Sequence, residues 1–543
     1  MNRTLLSLVV QARRLRSRAT AFAPYRLWIT AAVIGAAAAY GVIFFRIAIN
    51  AVSLIAFGQT EEFVASGAGA LHVARAAAAP VAGGLVVSCV LYFAHKYRWL
   101  PYGRGQGVAD VIEARAVRDG HISIRAGLAA AAVSALSIGS GASTGREGPA
   151  VHIGATIASA IDRYFKFSAK DRRTLLGCGA AAAVSASFNA PLAGVIFALE
   201  VVLGNYALSV FGPIAASSAV GAIVVRLLLD DNPAFPAPDY GLASAIDIPL
   251  SAGLGVLCGL LAATFLLTVR LLTDGVRRVA SGRNLNFMYL PPIAGLVVGL
   301  LGAVHPEIFG VGYEAVTRAL RGDYAVGVLV EILVLKLVAT AVTVSCRFGG
   351  GVFSPGLVMG AFGGAAFGVL MTPIAPQAAA PAFYAMVGMG ATTGAVIGAP
   401  ISTTLIVFEL TGDYTMTTSL MVAVALATVV TQTIAGKTFF HWQLSRRGYD
   451  LSEGPQGVIL KTTRVREVMD RLPDQAPLKK EAARLELQQS LGEALAKLET
   501  LSEPGLPVVD PGAPTVVVGY LSRVKALAAY NRALIASHVE HHA

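Results

Sequence analysis

No charged residue occurs from Gly351 to Phe408. A bilayer accommodates such a stretch readily, because about 20 apolar residues cross its ~30 Å of hydrocarbon. Comparable runs cover Leu27–Phe45, Pro80–Ala94, Thr174–Leu199, Val201–Val225, Ile248–Val269 and Phe287–Val304, and they continue with little interruption until about Arg446. With 55% hydrophobic residues, 14% charged residues and 57 glycines, the chain reads as a polytopic helical membrane protein with closely packed helices. Pro355, Pro373, Pro376, Pro381 and Pro400 cut the longest run into shorter pieces. Broken helices at membrane depth need protein or an aqueous path over their ends.

The net charge of +11 has a topological origin. Arg3, Arg13, Arg14, Arg16 and Arg18 precede the first run, the first acid is Glu61, and Arg446 and Arg447 follow the last run. The positive-inside rule then predicts cytoplasmic termini, with the bilayer and not a nucleic acid as partner. Residues 4–10 are too short for a signal-peptide core. Cys89, Cys178, Cys258 and Cys346 lack any CxxC spacing and read as small core residues, with no metal or disulfide framework.

Charge reappears abruptly at one place. The uncharged run Ala126–Gly145 leads into Arg146 and Glu147, within Gly139-Ser140-Gly141-Ala142-Ser143-Thr144-Gly145-Arg146-Glu147-Gly148-Pro149. Charges inside a membrane segment are functional suspects. Glycines let backbone N–H groups turn toward one point, and Pro149 suits a first helical turn. A helix N-terminus offers unpaired donors and partial positive charge, which makes an anion site that the Glu147 carboxylate can itself fill. The turn Gly103-Arg104-Gly105-Gln106-Gly107-Val108 lacks the Lys-Ser/Thr of a phosphate loop.

The second half repeats the first. Gly145-x-x-x-Pro149 with Gly154-Ala155 matches Gly351-x-x-x-Pro355 with Gly360-Ala361. Gly177-x-Gly179-Ala180, Ala190-Pro191 and Glu200 match Gly388-x-Gly390-Ala391, Ala399-Pro400 and Glu409. Repeats with interrupted helices in corresponding places predict a transporter whose site lies between them.

Gly145-Arg146-Glu147-Gly148-Pro149, Phe188–Gly194 with Glu200, and Gly351-Val352-Phe353-Ser354-Pro355 resemble the hallmark motifs of the CLC chloride channel and transporter family. The resemblance covers roughly residues 27–448. It implies an all-α inverted-repeat fold with broken helices (repeats near 25–230 and 245–447) and a homodimer with one anion path per subunit. Glu147 matches the gating glutamate, Gly351, Val352 and Phe353 the chloride-binding turn, and Arg146 a residue that steadies the motif and its local potential. Gln106 stands where an ion-binding serine is usual, and Phe440 where a tyrosine is usual. Val201 stands where proton-coupled members carry an internal glutamate. A valine carries no proton, which favours passive conduction; a proton-coupled chloride exchanger is the alternative. Nothing points to an enzyme.

Residues 1–24 read as a basic cytoplasmic arm and 25–447 as the transmembrane domain. From 448 to 543 the composition becomes soluble. Val465–Met469 looks like a strand-to-turn opening, Leu491–Leu501 has helical spacing, Leu506–Asp510 and Val516–Leu521 look like strands, and Arg523–Leu534 looks like a closing helix. The order resembles one cystathionine-β-synthase-type (CBS) module, a small α/β regulatory unit. Lys525 occupies the position of its usual ribose-binding acid, which argues against adenylate, although a lysine can still meet phosphate; no cofactor is expected. Ligand sensing and a purely structural dimerisation cap both remain open. A bacterial inner membrane is the expected location.

Overall fold

A computed structural model describes residues 23–100, 107–229, 245–283, 286–449, 460, 463–477 and 483–542. The chain divides into two compact units. One comprises Met1–Tyr206 with Val210–Phe440, and the other Ala207–Ser209 with His441–Ala543. Of the N-terminal arm, residues 1–22 lie outside the described residues.

The first unit is helical. Among the described residues, seven helices are long and apolar enough to cross a membrane: Tyr25–Phe57, Val73–Lys96, Leu208–Leu229, Asp247–Gly282, Val326–Ser345, Phe353–Met371 and Tyr414–Arg446. Shorter apolar helices stand between them, among them Pro191–Leu203, Pro381–Ile397 and Pro400–Thr411. The chain is an integral, multi-pass membrane protein. The expected run Val201–Val225 is interrupted, because Gly204 takes a left-handed conformation (φ +56°) and ends one helix before Leu208 begins the next. The uncharged run Gly351–Phe408 yields three helices, separated at Pro381 and Pro400, each of which starts a new one.

Glycine sets the helix spacing. A Cβ on Gly154 would lie 2.1 Å from the Gly179 carbonyl oxygen, and one on Gly360 2.1 Å from that of Gly388. These contacts correct the register of the repeat. Gly388 corresponds to Gly179, not Gly177, and the interval from Gly179 to Gly388 equals those from Pro191 to Pro400 and from Glu200 to Glu409. The buried Asp247 ties another junction, accepting from Tyr384 Oη at 2.6 Å and Ala379 N at 2.9 Å. Cys178, Cys258 and Cys346 are buried, but Cys89 is exposed on its helix.

The second unit is a small α/β domain. Strands β1 (Asp470–Pro477), β2 (Leu485–Glu486), β3 (Gly505–Asp510) and β4 (Ala513–Ser522) form one sheet in the order β1-β4-β3-β2. Pro473 and Pro477 sit in β1, an edge strand where a missing N–H is tolerated. Helix Leu491–Thr500 starts with a capping box of Ser490 and Glu493. Val465–Val468 is a helical turn, not a strand, and its two valines, three apart, both enter the core with Leu485, Leu491, Leu498, Val508 and Leu521. Lys525 is ion-paired with Asp470.

Candidate functional site

Glu147 is the first residue of the helix Glu147–Phe165, with Arg146 as its cap. The corresponding helix of the second repeat, Phe353–Met371, is capped by Val352. The two starts are joined through equivalent residues. Gly145 N donates to Gly351 O at 2.7 Å, and Gly351 N donates to Gly145 O at 2.8 Å. This reciprocal bridge brings the donor-rich, partly positive ends of two helices from different repeats to one place.

The Glu147 side chain is buried there. Its Oε1 accepts from Tyr313 Oη at 2.9 Å, and its Oε2 accepts from Ser354 Oγ in the first turn of the partner helix. Gly145 leaves the room: a Cβ on it would lie 2.9 Å from Glu147 Oε2 and 3.0 Å from Ser354 N. The carboxylate thus spans the repeats, held by the hydroxyls of Tyr313 and Ser354.

Arg146 is engaged elsewhere. Its Nη1 lies 2.8 Å from Glu61 Oε1, both groups buried, and its guanidinium carbon sits 4.7 Å from the centre of the Tyr313 ring. Glu61 is itself fixed, its N donating to Asn50 Oδ1 at 3.0 Å. The first acid of the sequence therefore balances the one arginine of the motif.

Val352 and Phe353 are buried beside this junction. The Phe353 ring packs 5.2 Å from that of Phe188 and 6.5 Å from that of Phe197, so the motifs of the two repeats share one aromatic cluster. Phe440 is buried with its ring 5.8 Å from Phe439. Gln106 lies outside the described residues. Val201 occupies a π-helical turn, Ala198–Leu203, that prolongs the helix Pro191–Phe197.

The same turn orients Glu200. Its carboxylate accepts from Ile401 N at 3.1 Å, Ser402 N at 2.8 Å and Ser402 Oγ, at the start of the Pro400 helix. Glu409 does the same for the Pro191 helix, accepting from Leu192 N at 2.9 Å and Ala193 N at 2.7 Å. Each repeat caps a helix of the other.

Residue patterns single out neither Tyr313 nor Lys336, and mark Glu61 only as the first acid of the chain. Ser354 lay inside a quoted motif, and Tyr313 follows the tight turn Gly310-Val311-Gly312. The profile of the voltage-gated chloride channel family matches residues 83–432. The chain belongs to that family. This CLC protein is 33% identical over 425 residues to a ClcB-like protein of Ralstonia nicotianae named for a chloride channel, which covers 77% of this chain and 97% of the relative. It is 31% identical to a protein of Salmonella arizonae named H(+)/Cl(-) exchange transporter ClcA, over 57% of this chain and 66% of that one. The fold is that of a slow cyanobacterial Cl-/H+ antiporter, with a TM-score of 0.68 at 21% identity, covering 78% of this chain and 98% of that structure. Anion transport is the activity of the CLC family, whose members are channels and transporters.

Proposed function

We propose that this CLC protein conducts chloride passively, through a path between its repeats that the Glu147 carboxylate closes. The carrying observation is the position of that carboxylate, buried where two helix N-termini from different repeats meet. An anion entering this place competes with the carboxylate, and protonation or an outward swing of Glu147 vacates it. Backbone N–H groups at Val352 and Phe353 suit a halide, because partial charges bind without trapping; the Gly351 N–H, expected to join them, is instead donated to Gly145 O. Gln106 supplies an amide donor on the path, Phe440 a ring without a hydroxyl, and Arg146 the local potential. Val201 removes the internal proton acid, so chloride moves without obligatory proton exchange.

The working form is a homodimer with one path per subunit, in a bacterial inner membrane with both termini cytoplasmic. The C-terminal α/β domain serves as a CBS-like regulatory or dimerisation module without bound nucleotide. Purified protein in liposomes tests the mechanism, with a chloride gradient, voltage reversal and proton uptake recorded together. Reversal at the chloride Nernst potential without proton movement is the expected result.

A second reading, proton-coupled exchange, draws on Glu113. This acid is buried on the helix Val108–Val117, which packs against the π turn bearing Val201, and it is paired with Arg118. Proton uptake driven by chloride in the wild type, abolished in Glu113→Gln, would establish it.

A further inference from the structure

Lys336 is fully buried in the membrane helix Val326–Ser345. An ammonium at that depth is costly and ordinarily answers an acid. Here its Nζ instead donates to two carbonyls of one turn, Ile308 O at 2.9 Å and Gly310 O at 2.8 Å. The turn is tight. Gly310 and Gly312 both have positive φ (+58° and +92°), and a Cβ at 312 would stand 3.0 Å from Val358 and 3.3 Å from Lys336 Nζ. Gly310 N also donates to Gly141 O at 3.3 Å, fastening the turn to the loop that leads into the Glu147 motif.

The next residue after this turn is Tyr313, first in the helix Tyr313–Arg321. All parts of it are held. Lys336 and Gly141 hold the turn before it, Arg146 covers its ring, and its hydroxyl donates to Glu147. A simple packing role accounts for the ring but not for a phenol aimed at a buried carboxylate.

We propose that Tyr313 is the latch of the Glu147 gate and that Lys336 is the buried anchor which positions it. Opening is then the release of Glu147 from the hydroxyls of Tyr313 and Ser354. This rests on the reading of Glu147 as the gate. The charged or titratable groups around it are Tyr313 and Arg146 with Glu61, whose neighbour Glu62 pairs with Arg46. Among the described residues, on the elements packed against the Glu147 helix stand also Asp110, Glu113, Arg115, Arg125 and Arg172, while His152 and Asp162, the ion-pair partner of Arg172, are buried on the Glu147 helix itself and Phe353–Met371 carries no titratable residue. Both hydroxyls donate to the Glu147 carboxylate, so removing one weakens the closed form.

The test is chloride efflux from liposomes holding the full chain, across acid to neutral pH, for wild type, Tyr313→Phe, Glu147→Gln and the double variant. Tyr313→Phe is expected to raise efflux at neutral pH by about tenfold, the worth of one hydrogen bond to a charged group, and to move the half-maximal pH upward. In the Glu147→Gln background it is expected to change nothing. An unaltered pH profile in Tyr313→Phe, or an equal change in both backgrounds, overturns the latch while leaving the gate standing. A wild-type pH profile in Glu147→Gln overturns the gate itself, and the latch with it. Lys336→Met is expected to shift the profile as Tyr313→Phe does; a folded Lys336→Met with the wild-type profile removes the anchor from the proposal.

Discussion

The two repeats agree closely at one pair of motifs and differ at the other. At the second pair, Glu200 and Glu409 stand at equivalent positions and perform the same task, each closing the N-terminus of the other repeat's proline-started helix. At the first pair the backbones match down to the mutual hydrogen bonds of Gly145 and Gly351, but the side chains do not. Arg146, Glu147 and Gly148 stand against Val352, Phe353 and Ser354. One helix start brings a charge pair, and the other brings an apolar cap, a ring and a hydroxyl. Symmetry is kept where the task is to terminate helices and broken where, on the proposed function, an ion is to be handled. A site with carboxylates on both sides would repel anions, whereas one mobile carboxylate can alternate with them.

The shared scaffold is where the largest effect is expected. Replacing Gly154 or Gly360 by valine drives a side chain into the backbone of Gly179 or Gly388, which neither helix can yield without separating. Each variant is expected to lose about 3 kcal/mol, read as loss of monodisperse protein in detergent. Equal losses at the two sites uphold the corrected register; a tolerant Gly360→Val beside an intolerant Gly154→Val breaks it. The asymmetric site is tested next. Glu147→Gln is expected to raise chloride flux at neutral pH by more than about tenfold and to flatten its pH dependence, since a neutral amide neither competes with the anion nor titrates. Phe353→Leu, the equivalent position in the other repeat, is expected to leave the pH dependence in place.

Much of this was legible because the signals are local. A charge pair ending a long uncharged run, prolines that open helices, and glycines in matched order each act within a few residues, so they mark Glu147, the broken helices and the repeat. The partners of Glu147 were not legible. Tyr313 lies far along the chain, and nothing in Gly310-Val311-Gly312-Tyr313 says which carboxylate its hydroxyl will meet. The helix Val326–Ser345 escaped notice because Glu331 and Lys336 interrupt its apolar run, yet Lys336 is accommodated by two carbonyls. In the α/β domain, β1 carries two prolines and polar residues and has no strand pattern of its own; pairing with β4 makes it a strand. The role of Glu200 depended on a helix that begins two hundred positions later in the chain, at Pro400.

That role supplies the finest test of the symmetry. If Glu200 and Glu409 serve only as caps, removing either leaves two backbone donors without their carboxylate, and Glu200→Ala and Glu409→Ala should each cost about 1–2 kcal/mol. Thermal unfolding in detergent measures both. Neither change should alter the pH dependence of chloride flux, because both carboxylates are occupied by backbone donors of the opposite repeat and not by the gate. Should Glu200→Ala change the ratio of protons to chloride while Glu409→Ala does not, the two acids are not equivalent. Glu200, next to Val201, would then be carrying protons as well as ending a helix, and the second pair of motifs would be as asymmetric as the first.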